Sequence, residues 1–499
     1  MSYEILKLFA MFGILSVAGY SLTPKKYRHI TLLAVSLGCV AYYSRWGILY
    51  LLVTILTTFS AGLLFEEIAN RHKTEGLDKA ERKARKALAK KRKRYVVCAF
   101  LLINLGMLFL LKYFHMFFPG RELPVLFQIA MPLGISYYTL QSLSYVIDVY
   151  RGKYPAERDP FRLALFVAFL PQLHEGPFGR YDAYREGLYR NEAIRKEEFY
   201  NGSATVLWGL FKIFLISNRA AMVSDHIFQN YQDYGGLTVL VGGVFFTLQL
   251  YAEFSGYIDV ARGISEMFGI SLARNFQAPF LARDVAEFWR RWHISLGEWF
   301  RDYVFYPVST AKVFRKLPDT AVILLALLAV WFLTGLWHGA SWKYVAYGLY
   351  YFVLMAALQL FRPFSERFLD KLGMDRENKI LAGFEIGFTW MFVVVGMILF
   401  RSENIADFLE IMGTLFTEGA AFSVLSVIDG KELTVLLLSV LVMISGPLLE
   451  KKGFSWRAHY RKLPCTGQYL VCFTMACFVI LFGAYGLDYI PPDPIYGGF

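Results

Sequence analysis

Two short stretches of this chain carry residue types that do chemistry where an apolar sequence has little reason to keep them. The first reads Phe288-Trp289-Arg290-Arg291-Trp292-His293-Ile294-Ser295-Leu296, followed by Trp299, Arg301 and Asp302. Arginine offers a fixed fork of donors suited to phosphate, and tryptophan favours the membrane–water boundary. Such a set could meet a coenzyme A or carrier-linked phosphopantetheine donor, with Arg290 and Arg291 on its phosphates. It could equally be an interfacial helix anchored to lipid headgroups. The second stretch runs from Val330 to Trp342 and ends an apolar run with Trp337-His338-Gly339. Thr334 lies four residues before His338, on the same helical face, and Gly335 and Gly339 admit close approach of other backbone. A neutral imidazole in an apolar site can take a proton from a hydroxyl. The plainer alternative is a structural histidine bonded to a neighbouring helix.

Two further clusters stand out. Glu253, Asp259 and Arg262 fall at the end of an apolar run. Asp259 and Arg262 are spaced i, i+3 and can pair, as a polar brace or as an acid that supports a catalytic histidine. Residues 170–181 hold His174 and Glu175 among Pro171, Gly176, Pro177 and Gly179, so helix is broken there. Irregular backbone at membrane depth must be buried in protein or line a cavity, which makes His174 a candidate lining residue. Serine-hydrolase, zincin and nucleotide-loop patterns are absent, and no Cys/His cluster has metal spacing.

These residues need a scaffold, and composition says which. Of 499 residues, 56% are hydrophobic and 18% charged, and the mean hydropathy is +0.41. A soluble domain carries about a quarter charged residues. The chain therefore reads as an all-α polytopic membrane protein, not a soluble enzyme, a disordered chain or a disulfide scaffold. Apolar runs near 4–20, 29–45, 47–65, 95–113, 125–148, 202–220, 236–256, 319–337, 343–361, 382–400, 434–449 and 467–485 predict about twelve crossings. The run at 163–173 is too short to cross and predicts a re-entrant or tilted segment. Residues 280–307, aromatic but charged, read as partly embedded. Leu6–Tyr20 lacks a basic leader and reads as a retained span.

Charge fixes the sidedness. Residues 71–94 hold twelve Lys/Arg against three acids, +9 of the chain's +12, and are expected in the cytoplasm. Residues 311–318 and 450–463 are basic and fall inside; 401–432 carry six acids and fall outside. Both termini are then extracytoplasmic. The basic excess reports topology, or attraction to anionic headgroups or substrate, and no nucleic-acid motif accompanies it. With no repeat and no low-complexity linker, 1–499 reads as a single membrane domain.

FWRRWHISLGEWFRDYVFYP (288–307) and TGLWHGASWKYVAYGLYYF (334–352) resemble the membrane-bound O-acyltransferase family. QSLSYVIDVYRGK (141–153), PQLHEGPFGRYD (171–182), FSGYIDVARGISEMFGI (254–270) and the ending YIPPDPIYGGF resemble its bacterial polysaccharide branch, of the alginate O-acetyltransferase type. The likeness is strong over 100–400. It implies a ring of about 11–13 tilted helices with re-entrant segments around a central tunnel, open on both membrane faces. The family's near-invariant histidine falls on His338, and its second position, Asn or His, falls on His293. Two places depart from the pattern: Pro307-Val308-Ser309-Thr310 stands where many relatives have Pro-Leu-Gly-Gly, and His174 stands where an apolar or small residue is usual.

Together these readings predict an O-acetyltransferase of the bacterial cytoplasmic membrane. A cytoplasmic thioester, acetyl-CoA, would supply the acyl group, and a hydroxyl of an exported polysaccharide would receive it, directly or through an extracytoplasmic SGNH-type acetyltransferase. His338 is the expected base and His293 its companion. Arg290, Arg291, Trp289 and Trp292 are expected on the donor side, and Trp337, Asp259, Glu253, Thr334, Ser295 and His174 as walls or supports. No bound cofactor or metal and no nucleic acid is expected. D-alanyl transfer to teichoic acid shares the histidine pair. A polysaccharide or lipid transporter would also use intramembrane Glu253, Asp259 and His338, but usually shows an inverted repeat.

Overall fold

A computed structural model describes residues 2–73, 75–123, 132–371, 373, 375, 378–417, 419 and 422–485. Among them every regular element is helical. Ten helical stretches are long and apolar enough to cross a bilayer: Glu4–Leu22, Lys25–Arg71, Lys79–Phe117, Lys196–Gln229, Gly236–Met267, Asp319–His338, Trp342–Lys371, Lys379–Arg401, Gly430–Lys451 and Cys465–Phe482. The chain is a multi-pass, all-α membrane protein. Backbone amides in lipid must be paired within the segment, and helices satisfy that requirement.

The predicted runs at 29–45 and 47–65 are the helices Arg28–Ser44 and Ile48–Arg71, which follow one another in a 47-residue stretch broken at Arg45, whose φ is 45°. The run at 125–148 begins partly outside the described residues, as does the whole YIPPDPIYGGF ending. Its helix starts at Ile135 and ends at Arg151. At 17 residues it is about 26 Å long, short of a bilayer's hydrocarbon core. The reason is in its side chains. Gln141, Ser142, Ser144 and Asp148 are buried, so this helix faces protein rather than lipid.

The chain divides into two compact units. One comprises Tyr3–Gly202 and Ile264–Ala273. In it the short helices Pro160–Ala168 and Leu170–Leu173 replace a span, as their length predicts. Asp159 caps the first through the amides of Phe161 and Arg162, and residues 163–170 are all buried. The amide of Leu170 donates to Ser36 Oγ at 3.3 Å, so the broken backbone finds side-chain partners.

The other unit comprises Met1–Ser2, Ser203–Gly263 and Arg274–Phe499. Its main device is the hairpin of Asp319–His338 and Trp342–Lys371. A Cβ on Gly335 would lie 2.3 Å from the carbonyl oxygen of Tyr344, and one on Gly348 would lie 2.2 Å from that of Trp331. Only glycine allows the two backbones this close, and in lipid such contact is what joins helices. Residues 285–309 form four short pieces, Val285–Arg291, Ile294–Phe300, Arg301–Phe305 and Tyr306–Ser309, in place of a span.

Candidate active site

His338 is the last residue of the Asp319–His338 helix and is 2% exposed. The hairpin's glycine contact sets its surroundings. Tyr347, across the hairpin, lies edge-on to the imidazole with ring centroids 5.7 Å apart. Phe400 closes another side at 5.4 Å. Phe400 is fixed because Lys343 holds the end of its helix, donating to the carbonyls of Ser402 at 2.6 Å and Phe400 at 3.4 Å. A lysine on the last carbonyls of a helix satisfies acceptors that would otherwise be orphaned.

His293 sits between Val285–Arg291 and Ile294–Phe300 and is equally buried. Its ring meets Phe254 at 4.8 Å and Trp337 at 5.6 Å. Trp337 also meets His338, at 5.0 Å. The two imidazoles, 45 positions apart in sequence, thus share one indole, each approaching it edge to face. Further along the hairpin, Trp289 packs on Tyr351 at 4.7 Å and Trp331 at 5.0 Å, continuing the aromatic wall.

The remaining expected residues distribute unevenly. Trp292 is buried among Phe276 and Phe288, at 5.0 and 5.4 Å. Arg291 is ion-paired with Glu287 and donates to the carbonyl of Ala278 at 3.2 Å, so its fork is engaged within the protein. Arg290 is exposed. The Thr334 hydroxyl donates to Val330 O at 2.8 Å, within its own helix. The amide of Ser295 donates to Asn275 Oδ1 at 2.9 Å. Glu253 is buried on the helix that carries Phe254. His174 belongs to the other compact unit, where its Nδ1 lies 3.8 Å from Glu175 Oε1.

Asp259 pairs with Arg262 at 3.0 Å, as the spacing predicts, and also with Lys212 at 2.7 Å. Lys212 further donates to Ser255 Oγ at 2.9 Å. Sequence reasoning overlooks Lys212, although a lysine inside an apolar span is a signal in itself. Phe254, Asn275, Tyr347 and Phe400 also escape it, because nothing in their local pattern sets them apart from ordinary core.

The family model of the membrane-bound O-acyltransferases (MBOAT) matches residues 99–400, a stretch that contains both histidines. The chain is 34% identical over 305 residues to a probable alginate O-acetylase, AlgI, of Pseudomonas putida; the alignment takes in 60% of this chain and 58% of that protein. With the probable alginate O-acetylase of Azotobacter vinelandii it shares 31% identity over 407 residues, 80% of this chain and 75% of the other. With the teichoic acid D-alanyltransferase of Bacillus subtilis it shares 31% over 281 residues, 54% and 69% of the two chains. Against the Pseudomonas alginate O-acetylases the chain spans little more than half of their length.

Proposed function

The chain belongs to the membrane-bound O-acyltransferase family, and from that premise we propose that it moves an acetyl group from acetyl-CoA on the cytoplasmic side to a hydroxyl of an exported polysaccharide. Transfer is direct, or passes through an extracytoplasmic SGNH-type acetyltransferase. The protein sits in the bacterial cytoplasmic membrane with both termini outside. The observation that carries this reading is the pair of buried imidazoles on one indole, within the stretch that matches the family.

The acceptor hydroxyl gives its proton to His338 as its oxygen attacks the thioester carbonyl. The C–S bond then breaks, and the imidazolium returns the proton to the leaving thiolate. The imidazolium forms at a helix C-terminus, where the last carbonyls favour positive charge. The aromatic walls exclude water, which strengthens that effect and denies hydrolysis a nucleophile. His293 orients the donor or stabilises the developing oxyanion. Arg290 is the exposed member of the arginine pair and the better placed of the two to meet donor phosphates.

Purified protein in proteoliposomes, given radiolabelled acetyl-CoA on one side and acceptor glycan on the other, is the test. The parent should transfer label, and His338→Ala should lose about 10²–10⁴-fold in rate while remaining folded. Retained transfer in His338→Ala sinks the assignment. The likeness to a teichoic acid D-alanyltransferase keeps D-alanyl transfer as the second reading. Label moving from a D-alanyl carrier protein but not from acetyl-CoA would decide for it.

A further inference from the structure

His293 adopts a left-handed backbone, φ 48° and ψ 48°. The Cβ of an L-residue resists that conformation, and it persists only where neighbours enforce it. His293 is also the residue that should cap the Ile294–Phe300 helix, yet its side chain makes no cap bond. The first amides of that helix are held from elsewhere. Asn275, 1% exposed, accepts the N–H of Ile294 on its backbone oxygen at 3.0 Å and the N–H of Ser295 on its Oδ1 at 2.9 Å.

The near side of His293 is pinned by the same strand of backbone. The amide of Gln277 donates to Arg291 O at 3.0 Å, and Phe276 bridges Trp292 in antiparallel fashion. Arg291 reaches back to the carbonyl of Ala278, itself left-handed at φ 47°, and is ion-paired with Glu287. Residues 275–278 therefore grip the chain both before and after His293.

We infer that Asn275 is a positioning residue. By taking over the helix cap it enforces the left-handed backbone of His293 and keeps the imidazole off the helix amides, turned between Phe254 and Trp337. The consequence for catalysis rests on the reading of His293 given above; the conformational clamp does not.

The experiment has two arms. The first needs no donor: unfolding equilibria in detergent for His293→Gly and His293→Ala, each with Asn275 intact and with Asn275→Ala. Glycine accepts the left-handed backbone without strain. With Asn275 intact the glycine variant should be favoured over alanine by about 5–30-fold in folding equilibrium. Asn275→Ala removes the Oδ1 acceptor and leaves the backbone bonds of residues 275 and 277, so the gap should narrow by about 2-fold or more as the cap is lost. A gap unchanged by Asn275→Ala overturns the part assigned to the Asn275 side chain.

The second arm measures acetyl transfer per folded enzyme. Asn275→Ala should lower kcat about 10-fold or more with donor KM within about 3-fold, and Asn275→Asp, which keeps the Oδ1 acceptor, should restore most of it. Unchanged kcat, with only less folded protein, overturns the positioning role. Unchanged kcat in a parallel His293→Ala would instead sink the reading of His293, and the unfolding arm alone then decides on the clamp.

Discussion

Lys212 carries an ammonium into an apolar interior, and its partners define what Asp259 can do. Both carboxylate oxygens of Asp259 are engaged, one by Lys212 and one by Arg262. Asp259→Asn takes the carboxylate away from the buried Lys212 ammonium and should cost about 3–5 kcal/mol of stability. Lys212→Met leaves the Asp259–Arg262 pair intact and should cost about 1 kcal/mol or less. Comparing detergent unfolding of the two variants checks the asymmetry; a stable but inactive Asp259→Asn would move Asp259 into the site. Thr334 offers the opposite case. Its hydroxyl is spent on Val330 O, so Thr334→Val should leave transfer within about 2-fold, as steady-state assays would show. The histidines are legible in the sequence because a polar ring in an apolar run is conspicuous. Asn275 is not, because its bond to Ser295 spans twenty positions of irregular backbone and obeys no period.

At the scale of elements, the glycines of the hairpin and of the following helix divide into those that are needed and those that are not. Gly335→Ala and Gly348→Ala place a methyl against backbone oxygen, which cannot yield as a side chain can. Each should cost at least about 2 kcal/mol and separate His338 from Tyr347, lowering transfer as well as stability. Gly383 and Gly387, on the Lys379–Arg401 helix, have nothing within 4 Å of a built Cβ. Their alanine variants should be neutral or gain about 0.5–1 kcal/mol. Thermal unfolding of the four variants separates the two groups. Most spans are legible from hydropathy because lipid demands an apolar exterior. The Ile135–Arg151 helix, the described part of the predicted run at 125–148, is buried along most of its length, and Gln141 Nε2 on it donates to Phe166 O. The break at Arg45 falls between the two runs, 29–45 and 47–65, that the sequence separates.

For the whole molecule, sidedness is the property that charge is expected to decide. Cys465 is exposed and follows the basic segment 450–463. With Cys98 replaced by Ala, a membrane-impermeant maleimide should label Cys465 from the cytoplasmic face only, in inverted but not right-side-out vesicles; labelling from outside would reverse the orientation. The strongest determinant, residues 79–94, is not a loop but the first half of the Lys79–Leu108 helix, exposed along almost its whole length. That helix is unbroken for 30 residues, about 45 Å, from cationic end to apolar end. Beyond it a π-helical turn, Phe109–Tyr113, carries the buried Lys112, whose ammonium donates to Ser136 Oγ at 3.1 Å. An intact helix bends little, so it acts as a lever arm. A partner that displaced the cationic end would move the turn that holds Lys112 with it, because one continuous helix joins the two.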